Sequence, residues 1–431
     1  MTEPLTAEPP TALEGVRVLD LTGVEGQYAG KLLADLGADV VRIEPPAGSP
    51  ARHRPPFADD DPHPNRSLAF WYWNTSKRSC TLDLTTEDGR ALFRRLVPRF
   101  DVLIHTYPAA EAATLGLDHD ALAALHRGII TCSITPFGEW GPHAAYLADD
   151  MIVAAMAGIM TLAGYPDRAP IMPPGEQAAI CGGIQAAQGI LIALLARDRT
   201  GRGQHVEVSQ QEAMSIAQET AMQTWDMRKE LRRRQGDAKL LPGVGTYACA
   251  DGYVYAMIGV PGFGAPMTTL VQWMAEEGIA GDLMEEPWRS MLGGINLREL
   301  TALWSQPEKL QEMMQRFAHI DELISAFFRS KTKRELYLGG QQRRLLIGPV
   351  NSVKDLREND QLAARGWWQE VTHPELGRTV TYPGAPYRHS RTPWRIHRRP
   401  PLLGEHTLEI LEGELGLTRA QCEMLMGAGV I

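Results

Sequence analysis

Acidic side chains at the starts of two apolar runs are the residues best suited to chemistry in this chain. Asp149 and Asp150 open a run that follows Ala148, and Glu176 stands after Gly175, just ahead of a longer run reaching Ala196. A carboxylate is anionic at neutral pH and can take up a proton or an acyl group. At a helix start it is also favoured by the macrodipole whether or not it reacts. Cations that could face an anionic ligand occur earlier, at Arg42, Arg52, Arg54, Lys77 and Arg78; each alone is ordinarily a solvated surface residue, but a group of them suits phosphate. The run Arg232-Arg233-Arg234, beside Glu230 and Asp237, reads as a solvated face. The 12 histidines show no HxH, HExxH or His/Cys clustering, so no metal is expected. Neither GxGxxG nor a Walker pattern is present, which argues against a dinucleotide or ATP fingerprint.

The elements that must position these residues alternate between two periodicities. Val16–Leu21 reads as a strand, Tyr28–Leu36 as a helix stopped at Gly37, and Asp39–Glu44 as a second strand. The pattern repeats with a strand at Cys80–Leu84, a helix from Thr85-Thr86-Glu87-Asp88 to Leu96, and a strand at Asp101–Ile104. A short helix at Asp118–His126 and a strand at Gly128–Ile134 follow. This implies an α/β fold with a mostly parallel sheet covered by helices on both faces. Ala148–Ala196 is read as mainly helical, Thr200–Gln204 as a break, and His205–Ser209 as a strand. Two strands flanking Asp251-Gly252 form a hairpin signal that opens a smaller α+β domain, with helices near Phe263–Ala275, Lys309–Phe317 and Asp321–Phe328. Thr392–Pro401 reads as an irregular linker, Glu405–Glu414 as a helix, and the Asp59-Asp60-Asp61 run as a solvated loop.

Composition narrows the class. The chain has 431 residues, enough for two or three domains, and its net charge of −9 does not suit a nucleic-acid partner. Five cysteines without CxxC spacing point to a reducing compartment. Met1-Thr2-Glu3-Pro4 lacks the features of a signal peptide, and the longest apolar stretch, Ile184–Ala196, reads as too short and too polar to span a bilayer. A cytoplasmic enzyme with no membrane partner is expected.

Several segments, in order, resemble the CaiB/BaiF (family III) CoA-transferases, which include formyl-CoA transferase, carnitine CoA-transferase and the α-methylacyl-CoA racemases. They are Leu13–Thr22, Leu33–Pro46, Asn74–Ser79, Phe137–Pro142, Arg199–Ser209 and Leu402–Thr407. The resemblance implies a Rossmann-like large domain built from both termini, a smaller inserted domain, and two interlocked subunits forming a homodimer. Residue patterns and resemblance together divide the chain into a large CoA-binding domain at 1–215, a linker at 216–240 and a small α+β domain at 241–352. A return linker at 353–400 and the C-terminal part of the large domain at 401–431 complete it.

The resemblance also implies the chemistry. The family's nucleophile is an Asp in a Gly-Asp pair; the matching pair here is Gly175-Glu176, one methylene longer. Asp149 and Asp150 fall where formyl-CoA transferase has a Tyr-Glu pair at the acyl group and the racemases have His-Asp. The missing His weakens a racemase assignment. Coenzyme A, as acyl-CoA substrate, is expected at Glu25, Gly26, Gln27, Arg42, Lys77, Arg78, Thr106 and Tyr107, with a small carboxylic acid as the second substrate. Gln27-Tyr28 replaces the usual Gly-Pro, Thr106-Tyr107 an Asn-Phe, and Thr114 an Arg. The Gly-rich loop of formyl-CoA transferase has no counterpart, which disfavours formyl or oxalyl transfer. The function implied is CoA transfer between an acyl-CoA and a carboxylic acid. The alternatives are an acyl-CoA isomerase, epimerase or lyase, and a non-catalytic CoA-ester-binding paralogue.

Overall fold

A computed structural model describes residues 9–237, 239, 241–260, 262–293 and 307–431. The Met1–Pro4 segment considered for a signal peptide lies outside them. The chain divides into two compact units: Met1–Gly164, Arg168–Arg234 and Gln361–Ile431 form the first, Tyr165–Asp167 and Gln235–Asp360 the second.

The first unit is built on a parallel sheet of six strands. They are β1 (Arg17–Leu21), β2 (Asp39–Glu44), β3 (Arg78–Thr81), β4 (Val102–His105), β5 (Ile130–Thr135) and β6 (His205–Ser209), in the order β3-β2-β1-β4-β5-β6. Successive side chains point to opposite faces, so one hydrophobic run feeds two cores. Val18, Val40, Val102 and Ile104 pack with helices α1 (Gln27–Asp35) and α2 (Gln177–Thr200). Leu19, Val41, Cys80 and Leu103 pack on the other face with helix Glu87–Leu96 and with Ile410, Leu411 and Cys422 from near the C-terminus. The order reverses between β1 and β4. Loops leaving their C-terminal ends therefore diverge and open a crevice, the usual place for a ligand in such sheets.

The mostly parallel sheet agrees with the sequence reading, which named no strand order, but several segments differ from it. Ala148–Ala196 is not one helical stretch: helices Asp150–Met156 and Ile159–Leu162 are followed by irregular chain up to Glu176, and α2 begins only at Gln177. The Pro and Gly residues at Pro166, Pro170, Pro173, Pro174 and Gly175 account for the interruption. α2 has 24 residues and is long and apolar enough to cross a membrane by length and composition, which the reading of Ile184–Ala196 alone missed; half of its most apolar window is buried. The return linker also contains structure, an antiparallel ribbon of Trp368–His373 and Arg378–Pro383. Val371 and Tyr382 of the ribbon join a core with Phe70 and Trp71 of the short helix Leu68–Trp73, which the sequence did not suggest.

The second unit has its own core. Val244–Cys249 and Gly252–Met257 form the expected hairpin, turning at Ala250-Asp251, and Ile347–Pro349 adds a third antiparallel strand. Where two helices were expected at Lys309–Phe317 and Asp321–Phe328, a single helix runs over Pro307–Arg329. Its apolar phase continues through Phe317, Ile320, Ile324, Phe327 and Phe328, all buried, and nothing between them breaks a helix.

Candidate active site

The turn after β1 is clamped from below. Asp20, fully buried, accepts hydrogen bonds from the Thr22 backbone N–H (2.9 Å) and hydroxyl (2.6 Å). Gly23 N–H donates to Thr106 Oγ1 of the loop after β4 at 2.6 Å. A side chain at Gly26 would place its Cβ 2.6 Å from Thr106 Cγ2 and 2.8 Å from Thr22 Cγ2, so the close approach of the two loops requires glycine there. Gln27 then opens α1; its Nε2 donates to Val24 O and its Oε1 accepts from Asn74 Nδ2 at 2.6 Å. Glu25, Gly26, Gln27 and Thr106 thus meet at the switch point of the sheet. Tyr107, half-buried, packs against the core below.

The five cations suited to phosphate already have protein partners; Arg52, fully buried, pairs with Glu44 at 2.8 Å. Lys77 is fully buried, and its Nζ donates to Asp20 Oδ2 (2.7 Å), Gln27 O (2.8 Å) and Asn74 Oδ1 (3.0 Å), which uses all three protons. Burial pulls the Lys77 ammonium down to about 8, against the opposing pull of Asp20. Burial works to raise the Asp20 carboxyl, but the charges of Lys77 and Arg42 outweigh it and hold the group below its ordinary range. Arg42, also buried, donates to Thr22 O and Ser49 Oγ and lies against Glu44 at 3.3 Å. Arg78 forms ion pairs with Asp39 at 2.6 Å and Glu409 at 2.9 Å. Lys77 and Arg42 build the floor of the turn, whereas Arg78 lies at the other end of the strands, beside the start of β2.

The acids at the helix starts do come together. Asp149 caps its own helix, accepting from Ile152 N–H at 2.9 Å. Asp150 reaches instead across to the first turn of α2, where its Oδ1 accepts from Ala178 N–H (2.8 Å) and Ala179 N–H (3.1 Å). It thereby supplies the cap that α2 lacks from its own N-cap residue, Glu176, whose side chain makes no capping bond. Gly175 has φ +78°, a left-handed conformation that turns the chain into the helix and aims Glu176 away from the helix end. Glu176 Oε1 forms an ion pair with the guanidinium of Arg54. Glu176 Oε2 is shut from solvent and has no hydrogen-bond partner.

A cavity of about 340 Å³ joins these groups. It is lined by Glu25, Arg54, Asp149, Asp150, Glu176 and Gln210, with Val24, Met151, Met172 and Ala179 giving it apolar walls. Burial raises the Glu176 carboxyl above its ordinary value; Arg54 opposes this, while Asp150 and Glu25 add to it. Asp150 is raised as well, chiefly by burial, against the hydrogen bonds from the start of α2. The expected site residues Glu25, Asp149, Asp150 and Glu176 line the cavity; Gly26, Gln27, Arg42, Lys77 and Thr106 hold the adjoining turn, while Tyr107 packs in the core with Leu19 and Leu103 and Arg78 pairs with Asp39 at the other end of the strands. Gln210, 1% exposed, and the Arg54–Glu176 pair were not singled out by the sequence, because no spacing signal links residues so far apart in the chain. The cavity therefore presents a poorly solvated carboxylate with one oxygen paired to Arg54 and the other without a hydrogen-bond partner.

A family model, CoA-transferase family III, matches residues 13–407. The chain is 36% identical over 416 residues to succinyl-CoA:(R)-benzylsuccinate CoA-transferase subunit BbsE of Thauera aromatica, covering 96% of this chain and 97% of that one. It is 31% identical to the succinate–glutarate CoA-transferase of Agrobacterium fabrum, covering 95% and 97%. It is also 31% identical to the formyl-CoA:oxalate CoA-transferase of Streptomyces coelicolor, covering 97% and 99%. Among solved structures, a CaiB/BaiF family protein from Brucella suis is similar, with a TM-score of 0.79 and 29% identity, covering 94% of this chain and all of that one.

Proposed function

The chain belongs to CoA-transferase family III, and from that premise we propose that it moves CoA between an acyl-CoA thioester and a carboxylic acid with Glu176 as the nucleophile. The observation that carries this reading is the Glu176 carboxylate in the cavity wall, with one oxygen held by Arg54 and the other without a partner. A Glu176 oxygen attacks the thioester carbonyl carbon, the C–S bond breaks, and the CoA thiolate leaves a mixed anhydride. The thiolate attacks the Glu176 side-chain carbonyl, releases the first acid as a carboxylate, and leaves Glu176 as a CoA thioester. An incoming carboxylate reverses the two steps with a different acyl group. Asp150 fixes the start of α2, and with it the reach of Glu176; Asp149 and Glu25 complete the wall facing the acyl group.

CoA binds with its pantetheine arm along the turn Thr22–Gln27 and its phosphates toward the N-terminus of α1. Relatives named for succinyl-CoA, glutarate and benzylsuccinate favour a small dicarboxylic acid as one partner. The test is incubation with succinyl-CoA and a panel of acids, followed by mass spectrometry of products and of hydroxylamine-treated peptides. New acyl-CoA esters and a hydroxamate on Glu176 are expected. Exchange of solvent deuterium at the α-carbon without CoA transfer would favour an isomerase, and binding without turnover a non-catalytic paralogue.

A further inference from the structure

We propose that Arg54 is the seat for the carboxylate of the incoming acid, and that Glu176 vacates this seat only when it becomes acylated. The inference rests on the reading of Glu176 as nucleophile. Among the described residues lining the cavity, Arg54 is the cation, and it faces four carboxylates, Glu25, Asp149, Asp150 and Glu176. In the resting enzyme Glu176 occupies the guanidinium. An acid anion entering at that stage would meet uncompensated negative charge and find no free cation. Carboxylates already gathered in a half-buried site disfavour the entry of a further anion.

Acylation changes this balance. When Glu176 forms the anhydride or the CoA thioester, the bond formed at its carboxyl removes its negative charge. Arg54, whose side chain is 40% exposed, then loses its counterion and offers a free guanidinium to an anion. The carboxylate of the departing or arriving acid replaces that counterion, and the fork of the guanidinium places a carboxylate oxygen beside the Glu176 carbonyl carbon it must attack. When the second acyl-CoA forms, the seated carboxylate has become the acyl group of the thioester, and Glu176 regains its charge and recaptures Arg54. The ion pair therefore makes acid affinity depend on the covalent state of the enzyme. The acid is held while it can react and released when it cannot.

Equilibrium binding of succinate, followed by titration calorimetry in the absence of CoA, tests this without turnover. Glu176→Gln, which mimics the uncharged acylated state, should bind succinate about tenfold or more tightly than wild type, the scale of one charge-assisted contact. Adding Arg54→Gln should remove that gain, and Arg54→Lys should restore part of it. Glu176→Ala also removes the charge and gives the same comparison should the Gln variant fold poorly. Equal succinate binding by wild type and both Glu176 variants would overturn the proposal, as would a gain that survives loss of Arg54. A gain dependent on Arg54, in a protein whose wild type gives no hydroxamate on Glu176, would keep the Arg54 seat and defeat the nucleophile assignment instead.

Discussion

Lys77 Nζ and Asp20 Oδ2 lie 2.7 Å apart with both side chains fully buried, directly beneath the turn that carries Glu25. Their contact makes Lys77 a part of the frame. Lys77→Met would leave Asp20 charged, buried and without its strongest partner, and is expected to cost about 3–5 kcal/mol of folding stability. Urea unfolding checks this. Unchanged stability together with weakened CoA binding would return Lys77 to a role against phosphate.

The reach of Asp150 to the start of α2 carries its own expectation. Asp150→Ala removes two hydrogen bonds to backbone N–H groups and should lower stability by about 1–2 kcal/mol. It should also slow transfer, because Glu176 stands on the end that Asp150 fixes. Asp149→Ala, which removes a single local cap, should cost about 1 kcal/mol with a smaller effect on rate. Thermal unfolding paired with turnover of the two variants separates them.

Glu176→Gln is expected to abolish transfer while sparing CoA binding. Glu176→Asp should retain the chemistry but place the carboxylate about 1 Å short, a shift that can cost on the order of a hundredfold in rate. Near-wild-type turnover by the Gln variant would remove Glu176 from the mechanism and make Asp149 or Asp150 the next candidate.

Glu44 gives a stability profile with a definite sign. Burial works to raise its carboxyl, but Arg42 and Arg52 bring it down to about 2, below its ordinary 4.5. Its contribution is therefore present above pH 4.5 and lost as pH falls from there toward 2. The stability gap between wild type and Glu44→Gln should narrow over that interval by about 3 kcal/mol. A gap independent of pH would mean that folding does not shift the Glu44 pKa.

A homodimer is expected from the family resemblance. If its chains are interlocked, dilution should yield no folded monomer, because separation requires unfolding. Analytical ultracentrifugation at nanomolar concentration decides it: a stable folded monomer is incompatible with interlocking.

The sheet was legible because β1 to β6 are short β-rich runs bounded by helix signals, and buried strands cannot hide that pattern. The ribbon Trp368–His373 with Arg378–Pro383 was also written in the sequence, as alternation around Gly377, but neighbouring Pro and Arg residues obscured it. The cations of the site were harder. Arg42, Lys77 and Arg78 have the composition of a phosphate site, and only the tertiary placement of Asp20, Glu44, Asp39 and Glu409 shows that their charges are answered within the protein. Arg54 has the same residue type and no such inner partner; it meets Glu176 at the cavity. Sequence separates solvated from buried charge poorly because both use the same side chains.

The first core closes late in the life of the polypeptide. Leu19 and Leu103 pack with Ile410, Leu411 and Cys422, and Asp83 N–H donates to Val430 O at 2.8 Å. The ribosome makes those partners after it has made the whole of residues 235–360, whose core comes from one nearly continuous stretch. The second unit is therefore expected to fold first, while one face of the parallel sheet waits only partly covered, by helix Glu87–Leu96, on the nascent chain, a state in which exposed apolar surface attracts chaperones. Nascent chains stalled before Thr407 should show protease resistance over 235–360 and sensitivity over 17–135. Full release should protect both.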